Sequence, residues 1–336
     1  MGDEWRQGDR HGGGDPEDAM YRFVPALTLS IVALAAAAPV LAADYPEGFR
    51  PSYPEDYDSY QPLGFEAGLR YWYSWGQQTG TFGSTSLDSK DNTSILEGHL
   101  RIDDYTTQSY VKGLAGYSVA INGDYTIGGT SGSIDGGRVG YAGADFGWSP
   151  FGWAPGGNGV YGLVGYQYWN DSPETGRGPF VVSVNNAGNP TAFDSAVNNL
   201  DIHALRLGLS GRADFGTFDV TAEVAAIPYA WMTGTLGTGS TSAFTVAGSP
   251  LSYYQSSPTS VSGTGYGAMG EVMVGFKPIE NLAIRAGARA WYVGGNLDYT
   301  YSAIPSNDPS ASQGFIGKTW VSAFRYGLLG ELTYKF

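Results

Sequence analysis

Phe324-Arg325-Tyr326-Gly327-Leu328-Leu329-Gly330-Glu331-Leu332-Thr333-Tyr334-Lys335-Phe336 closes the chain. Its side chains alternate. Phe324, Tyr326, Leu328, Leu332, Tyr334 and Phe336 fall on one face of an extended strand, and Arg325, Glu331, Thr333 and Lys335 fall on the other. A strand of about ten residues with an apolar outer face, a polar inner face and aromatic ends has the length and polarity needed for a tilted crossing of a bilayer. The stretch therefore reads as the last strand of a transmembrane β-barrel.

The opposite end of the chain fits an exported protein. Met20-Tyr21-Arg22, an apolar run from Phe23 to Leu41 and the small residues Val40 and Ala42 have the order of a secretory signal peptide cleaved after Ala42. The competing reading, a helical membrane anchor, suits this Ala-rich run with a processing site less well. Residues 1–19 are acidic and Gly-rich and would bury the signal behind polar sequence. They read as an upstream start-site artefact, with Met20 as initiator. Residues 43–62 (ADYPEGFRPSYPEDYDSYQP) lack an apolar period and read as a periplasmic linker.

The 336 residues include 51 Gly, 24 Tyr and 9 Trp but no Cys, which excludes a disulfide framework and any thiol site. Without residues 1–42 the chain keeps 26 Asp plus Glu and 15 Lys plus Arg, a net charge of −11, which argues against a nucleic-acid partner. No stretch after residue 42 approaches the roughly 18 apolar residues of a membrane helix, so any crossing uses strands.

Ten alternating segments follow within residues 63–336: 63–75, 94–103, 109–122, 137–149, 158–170, 200–212, 217–230, 265–277, 281–294 and 323–336. Links after the even-numbered segments are short, as at Ala213-Asp214-Phe215-Gly216. Those after the odd-numbered ones are long and rich in Gly, Ser, Thr and Asn, notably 171–199, 231–264 and 295–322. An even strand count, short periplasmic turns and long extracellular loops describe a closed antiparallel outer-membrane barrel, all-β, with both termini in the periplasm. A soluble β-sandwich also alternates, but it would bury the aromatic face and would seldom need ten such strands.

The segments sort their charges onto one face. Segment one sets Phe65, Ala67, Leu69, Tyr71 and Tyr73 outward and Glu66, Arg70, Trp72 and Ser74 inward. The expected lumen network comprises Glu66, Arg70, Glu97, Arg101, Glu271, Arg285, Arg289, Arg325 and Glu331, joined by Lys112, Asp145, Arg206, Asp219 and Glu223. Charge on the lipid face costs about 2–4 kcal/mol at the midplane, so this sorting is required of a barrel. Two uses of such a lumen compete: a salt-bridged plug, in which buried charges are paired, and a charged pathway for ions or small solutes. The pattern G-x-R-x-W-Y occurs at Gly68–Tyr73 and at Gly287–Tyr292, and it predicts Arg70 and Arg289 flanking Glu331.

Asp201-Ile202-His203 is the one candidate catalytic pair, since a carboxylate beside an imidazole orients a general base. Parity with Leu205, Leu207 and Leu209 points His203 out of the lumen. His99, among Glu97 and Arg101, reads as an interior hydrogen-bonding residue. No Cys, His or carboxylate spacing suggests a metal, no cofactor is implied, and Asp88-Ser89-Lys90-Asp91-Asn92 lacks the Gly and distal Glu of a calcium loop. Trp75, Trp148, Trp153, Trp169, Trp231, Trp291 and Tyr292 read as interfacial girdles.

The aromatic strand ending in Phe336 resembles the C-terminal signature of bacterial outer-membrane barrels, which implies recognition by the barrel assembly machinery. With Leu69–Tyr73, Gly165–Trp169 and Pro228-Tyr229-Ala230, the chain resembles barrels of alphaproteobacteria, loosely omptin-like or opacity-protein-like. Ten strands and an Asp-x-His look like the omptin proteases, where an Asp-His pair faces an Asp-Asp pair across a groove. This chain departs from that pattern. Asp88 and Asp91 are three apart, Asp103-Asp104 falls in a periplasmic turn, and the Asp-His pair lies after the third outer loop rather than in the fourth. The expectation is a monomeric barrel in contact with outer-membrane lipid and lipopolysaccharide, with a structural or surface-interaction role. A narrow porin-like channel and an omptin-like protease are its rivals.

Overall fold

A computed structural model describes residues 63–336 apart from 83–84, 129, 150–157, 176–179, 186–189, 194–197, 237–242, 247 and 309. The expected start-site artefact, signal peptide and linker, and Trp153, lie outside the described residues. The strands are β1 (Leu63–Phe82), β2 (Thr85–Asp104), β3 (Ser109–Ile127), β4 (Thr130–Ile134), β5 (Gly137–Trp148), β6 (Gly159–Pro173), β7 (Phe180–Val184), β8 (Pro190–Phe193), β9 (Asn199–Asp214), β10 (Phe218–Thr235), β11 (Phe244–Thr245), β12 (Ser252–Gln255), β13 (Ser260–Ile279), β14 (Leu282–Pro305) and β15 (Gln313–Lys335).

Ten of these form the wall, in the order β1, β2, β3, β5, β6, β9, β10, β13, β14, β15, with every neighbour antiparallel. The ring closes between β15 and β1, from Glu66 opposite Lys335 to Gly80 opposite Val321. Closure removes the sheet edges that lipid cannot solvate. Phe336 ties the seam by donating its amide to the carbonyl of Phe65 at 3.0 Å. The other strands belong to the outer connections: β4 extends β3, β7 and β8 pair with each other, and β11 and β12 build onto the end of β14.

The final strand shows why the chain adopts this shape. From Thr319 to Thr333 its odd residues are buried or half-buried and its even residues are exposed apart from half-buried Ser322, the side-chain period of an extended backbone. On β1 the outward residues from Phe65 to Trp75 are apolar, and Gln77, Thr79 and Thr81 continue the same face as polar groups. Eleven residues at a tilt of about 40° rise roughly 28 Å, close to the ~25 Å apolar band of such barrels. Pro228 sits where β10 shifts register against both neighbours, a bulge that tolerates a residue with no amide hydrogen.

Periplasmic turns are compact. Asp104 accepts from the Thr107 hydroxyl and the amides of Thr106 and Thr107, and these bonds hold its carboxyl below the ordinary carboxylate range. Gly216 (φ 81°) makes the turn between β9 and β10 in a conformation that suits glycine.

The outer connections are shorter than the sequence suggests. β1 and β2 run to Phe82 and from Thr85, so most of 76–93 is strand, and β14 and β15 absorb most of 295–322. Beyond the apolar belt the outward face turns polar, so the lipid-facing signal ends while the hydrogen-bonded ladder continues. A strand of 20 residues at the same tilt rises about 50 Å, so the wall stands well clear of the bilayer core.

Polarity inverts along that height. The periplasmic part is charged within and apolar outside, whereas the outer part is mostly apolar within and polar outside. Leu87, Ile127, Val139, Leu200, Ile202, Met232, Leu297 and Val321 pack in the outer lumen beneath exposed Asp88, Lys90, Asp298 and Lys318. The outer part is thus built like a water-soluble β-barrel standing on a membrane-type one.

Candidate functional site

The lower lumen is filled by one connected ionic network. Arg285 donates to Glu331 at 2.6 Å, to Glu66 and the Thr333 hydroxyl at 3.3 Å each, and to both oxygens of Asp219 at 2.8 and 3.1 Å. Arg70 donates to Glu331 through Nε and to Glu97 at 3.0 Å, and it lies 3.3 Å from Glu271. Arg289 donates to Glu271 and Glu97 at 2.7 Å each, and the Tyr141 hydroxyl also donates to Glu97, at 2.5 Å. Glu66, Arg70, Glu97, Glu271, Arg285, Arg289 and Glu331 therefore meet. Shared planar guanidinium forks are what allow so many charges to lie buried together.

Arg289 does not flank Glu331. The stagger of the closed sheet sets Glu331 opposite Arg70 on one side and Arg285 on the other, leaving Arg289 opposite Glu271 and Gly327. The repeated motif suggested a symmetry that the shear of the barrel displaces by four residues. Arg101 lies apart, paired with Asp103 at 2.8 Å and stacked 3.8 Å above the Tyr110 ring. Arg325 forms a separate cluster higher in the lumen, bonding Asp91 at 2.7 and 3.0 Å and Asp171 at 3.0 Å. Lys112 and Arg206 share Glu223, and Arg206 also reaches Asp145 at 3.2 Å.

The inward residues expected from sequence do not include Asp91, Asp171, Tyr141 or Arg212, which joins the main network through Glu66 and Asp219 at 3.4 Å each. Tyr141 could have been found by parity. Asp91 and Asp171 fall in stretches read as loops, where no parity was assigned.

Above the main network lies an aromatic layer. Trp169 of β6 stacks on Trp291 of β14 (centroids 4.6 Å, planes 11° apart) and on Tyr141 of β5 (4.6 Å, 7°), while Trp72 of β1 meets Trp169 edge-on at 6.1 Å. Trp169 and Trp291 are thus lumen residues and not girdle residues. Their inward parity, shared with Gln167 and Arg289, decides this. Trp148 and Trp231 are exposed outward, in keeping with a girdle, and Trp75 and Tyr292 are half-buried on the outer face. Two small cavities, of about 60 and about 10 Å³, lie within the network among the described residues.

Donor atoms of Glu66, His99 and Glu331 lie within 4.8 Å of one another, a spacing a metal could bridge. Arg285 already bonds both carboxylates and supplies the positive charge there.

Asp201 and His203 lie on the outer face of β9. Asp201 accepts from Tyr168 (2.5 Å), Asn199 (2.6 Å) and Asn170 (2.8 Å), whereas His203 Nδ1 bonds the Tyr166 hydroxyl at 2.6 Å. The two side chains thus have separate partners in a ladder running across β6 and β9. Asp88 is exposed on β2, Asp91 points into the lumen with Arg325, and Asp103 pairs with Arg101, so none of the carboxylates weighed for the opposing pair meets His203.

No protein-family model matches the chain, and no curated protein matches it significantly. Among solved structures, the outer membrane protease OmpT from Escherichia coli superposes with a TM-score of 0.57 at 12% identity, over 83% of this chain and 98% of that one. The translocator domain of the autotransporter NalP from Neisseria meningitidis (TM-score 0.33, 13% identity, 83% and 90% covered) and OprG from Pseudomonas aeruginosa (0.32, 10%, 82% and 95%) also align, too weakly to bear on the argument. The likeness to OmpT is one of fold: this chain folds as a closed, ten-stranded antiparallel barrel of the outer-membrane type.

Proposed function

We propose that this protein is a monomeric, non-conducting barrel of the bacterial outer membrane that carries a rigid, packed extension above the lipid for a structural or surface-interaction role. The filled lumen carries this reading. Ionic pairs span the lower bore and stacked aromatics span the level above, so an ion would have to break several buried pairs to pass. Each such break strands a charge at about 3–5 kcal/mol. The belt of exposed apolar side chains supports residence in a bilayer, and the closed ten-stranded fold it shares with OmpT supports an outer-membrane address. Phe336, 71% exposed at the seam, is available to the assembly machinery, and outer-leaflet lipid and lipopolysaccharide are the expected neighbours of the girdles.

Protein reconstituted in planar bilayers should show no steady conductance; reproducible unitary steps would favour the porin-like reading. The omptin-like reading has its own test. Unstructured peptides should survive incubation with the folded barrel, and cleavage lost in His203→Ala with the barrel still folded would overturn the scaffold reading.

A further inference from the structure

The cavity of about 60 Å³ lies in the periplasmic half of the lumen, and the charges around it are uneven. Arg70, Arg101, Lys112, Arg212 and Arg285 line it, against the carboxylates of Glu66, Glu223 and Glu271. Each of those carboxylates already serves two cations: Glu66 holds Arg212 and Arg285, Glu223 holds Lys112 and Arg206, and Glu271 holds Arg70 and Arg289. The next carboxylates out serve the other lining cations closely: Glu331 bonds Arg285 and Arg70, Glu97 bonds Arg70, Asp103 bonds Arg101, and Asp219 bonds Arg285 but reaches Arg212 only at 3.4 Å.

Arg212 is the least satisfied of the lining cations. Its side chain is nine-tenths buried, both of its ion pairs are long at 3.4 Å, and its Nε is buried with no hydrogen-bond partner among the described residues. Arginine cannot shed its proton to escape this, and an unpaired charged donor is among the costlier things to bury. Thr221 lines the same cavity, and a threonine hydroxyl can rotate to donate.

We propose that this cavity binds a small inorganic anion of halide size, held chiefly by Arg212 with Thr221 as a neutral donor. The space admits roughly four to six water-sized groups, enough for a partly hydrated halide and too little for a sugar or a nucleotide. A cation is disfavoured by the surrounding guanidinium and ammonium groups. Chloride and bromide share the required chemistry, and bromide is the practical probe.

Folded barrel is crystallised from sodium bromide, and unfolding of barrel in micelles is followed at constant ionic strength as bromide replaces gluconate. The expected results are an anomalous peak in the cavity within hydrogen-bond range of Arg212 Nε and an unfolding midpoint that rises and saturates with bromide. Arg212→Gln should weaken that response at least tenfold. Lys318→Gln, at an exposed outer position, should leave it unchanged. A cavity holding water alone, or a bromide response identical in Arg212→Gln, overturns the proposal. If Arg212→Gln does not fold, the wild-type anomalous map still decides, and Thr221→Val, which keeps the charges, should weaken the response in part.

Discussion

Gly76 leaves room for a contact between its neighbours. A Cβ at this position would sit 2.4 Å from both Arg325 Nη2 and Asp91 Oδ2, so Arg325 of β15 reaches Asp91 of β2 across a strand that presents no side chain between them. Gly76→Ala should therefore cost at least the ~1–3 kcal/mol of overpacking, and more if it separates the pair. A urea midpoint in lipid vesicles checks this, and an unchanged midpoint would refute it. Glu331→Ala removes the carboxylate that Arg70 and Arg285 share and should cost up to about 3–5 kcal/mol, less to the extent that Glu97, Glu271, Glu66 and Asp219 take up the two cations. In double-mutant cycles Glu331 should couple to Arg285 and only weakly to Arg289; the reverse order would contradict the register. At this scale the sequence was legible through parity, which identifies inward charges such as Glu97 and Arg285 without identifying their partners. Partner choice depends on the shear of the closed sheet, which no local pattern records.

At the scale of elements, all ten wall strands were legible and their outer limits were not. Alternation is visible only where one face is apolar and the other polar in the sense that lipid demands. Past Trp75 the two faces exchange roles, and residues such as Gln77, Asp88 and Lys90 resemble loop composition while lying in paired strand. Hydrogen exchange gives the check. Amides of 77–82 and 86–93 should be protected nearly as well as those of 66–75, because they belong to the same ladder over a packed core. Exchange within seconds would mean that these segments are loops. Candidate site residues follow the same rule: Asp171, two residues before the end of β6, is invisible as a lumen residue because the alternating segment 158–170 ends at Asn170.

For the whole molecule, the inversion of polarity means that two solvents act on one continuous sheet. Lipid sets the outward face of the lower barrel, and water sets that of the upper barrel. A substitution's effect should then depend on height: Leu328→Arg on the belt should cost about 2–4 kcal/mol, whereas Lys318→Leu, far above it, should be within about 0.5 kcal/mol of neutral. A gain of about 2–4 kcal/mol in Lys318→Leu would show that the outer part is also immersed in lipid, because the substitution would then remove a charge from the lipid face. Refolding yield into vesicles of graded thickness gives a second reading of the same boundary.

The strand that closes the ring, β15, carries one member of each of two ionic clusters. Glu331 completes the cluster around Arg70 and Arg285, and Arg325 completes the one around Asp91 and Asp171. A sheet that still lacks β15 leaves Arg70 and Arg285 short of the one carboxylate they share and leaves Asp91 and Asp171 without their cation. Seam closure therefore completes both clusters in a single event. Replacing Glu331 and Arg325 together by Gln should slow the closing step of vesicle insertion more than it slows the first adsorption of chain to lipid. On this view the interior of the barrel is settled only when β15 pairs with both of its neighbours.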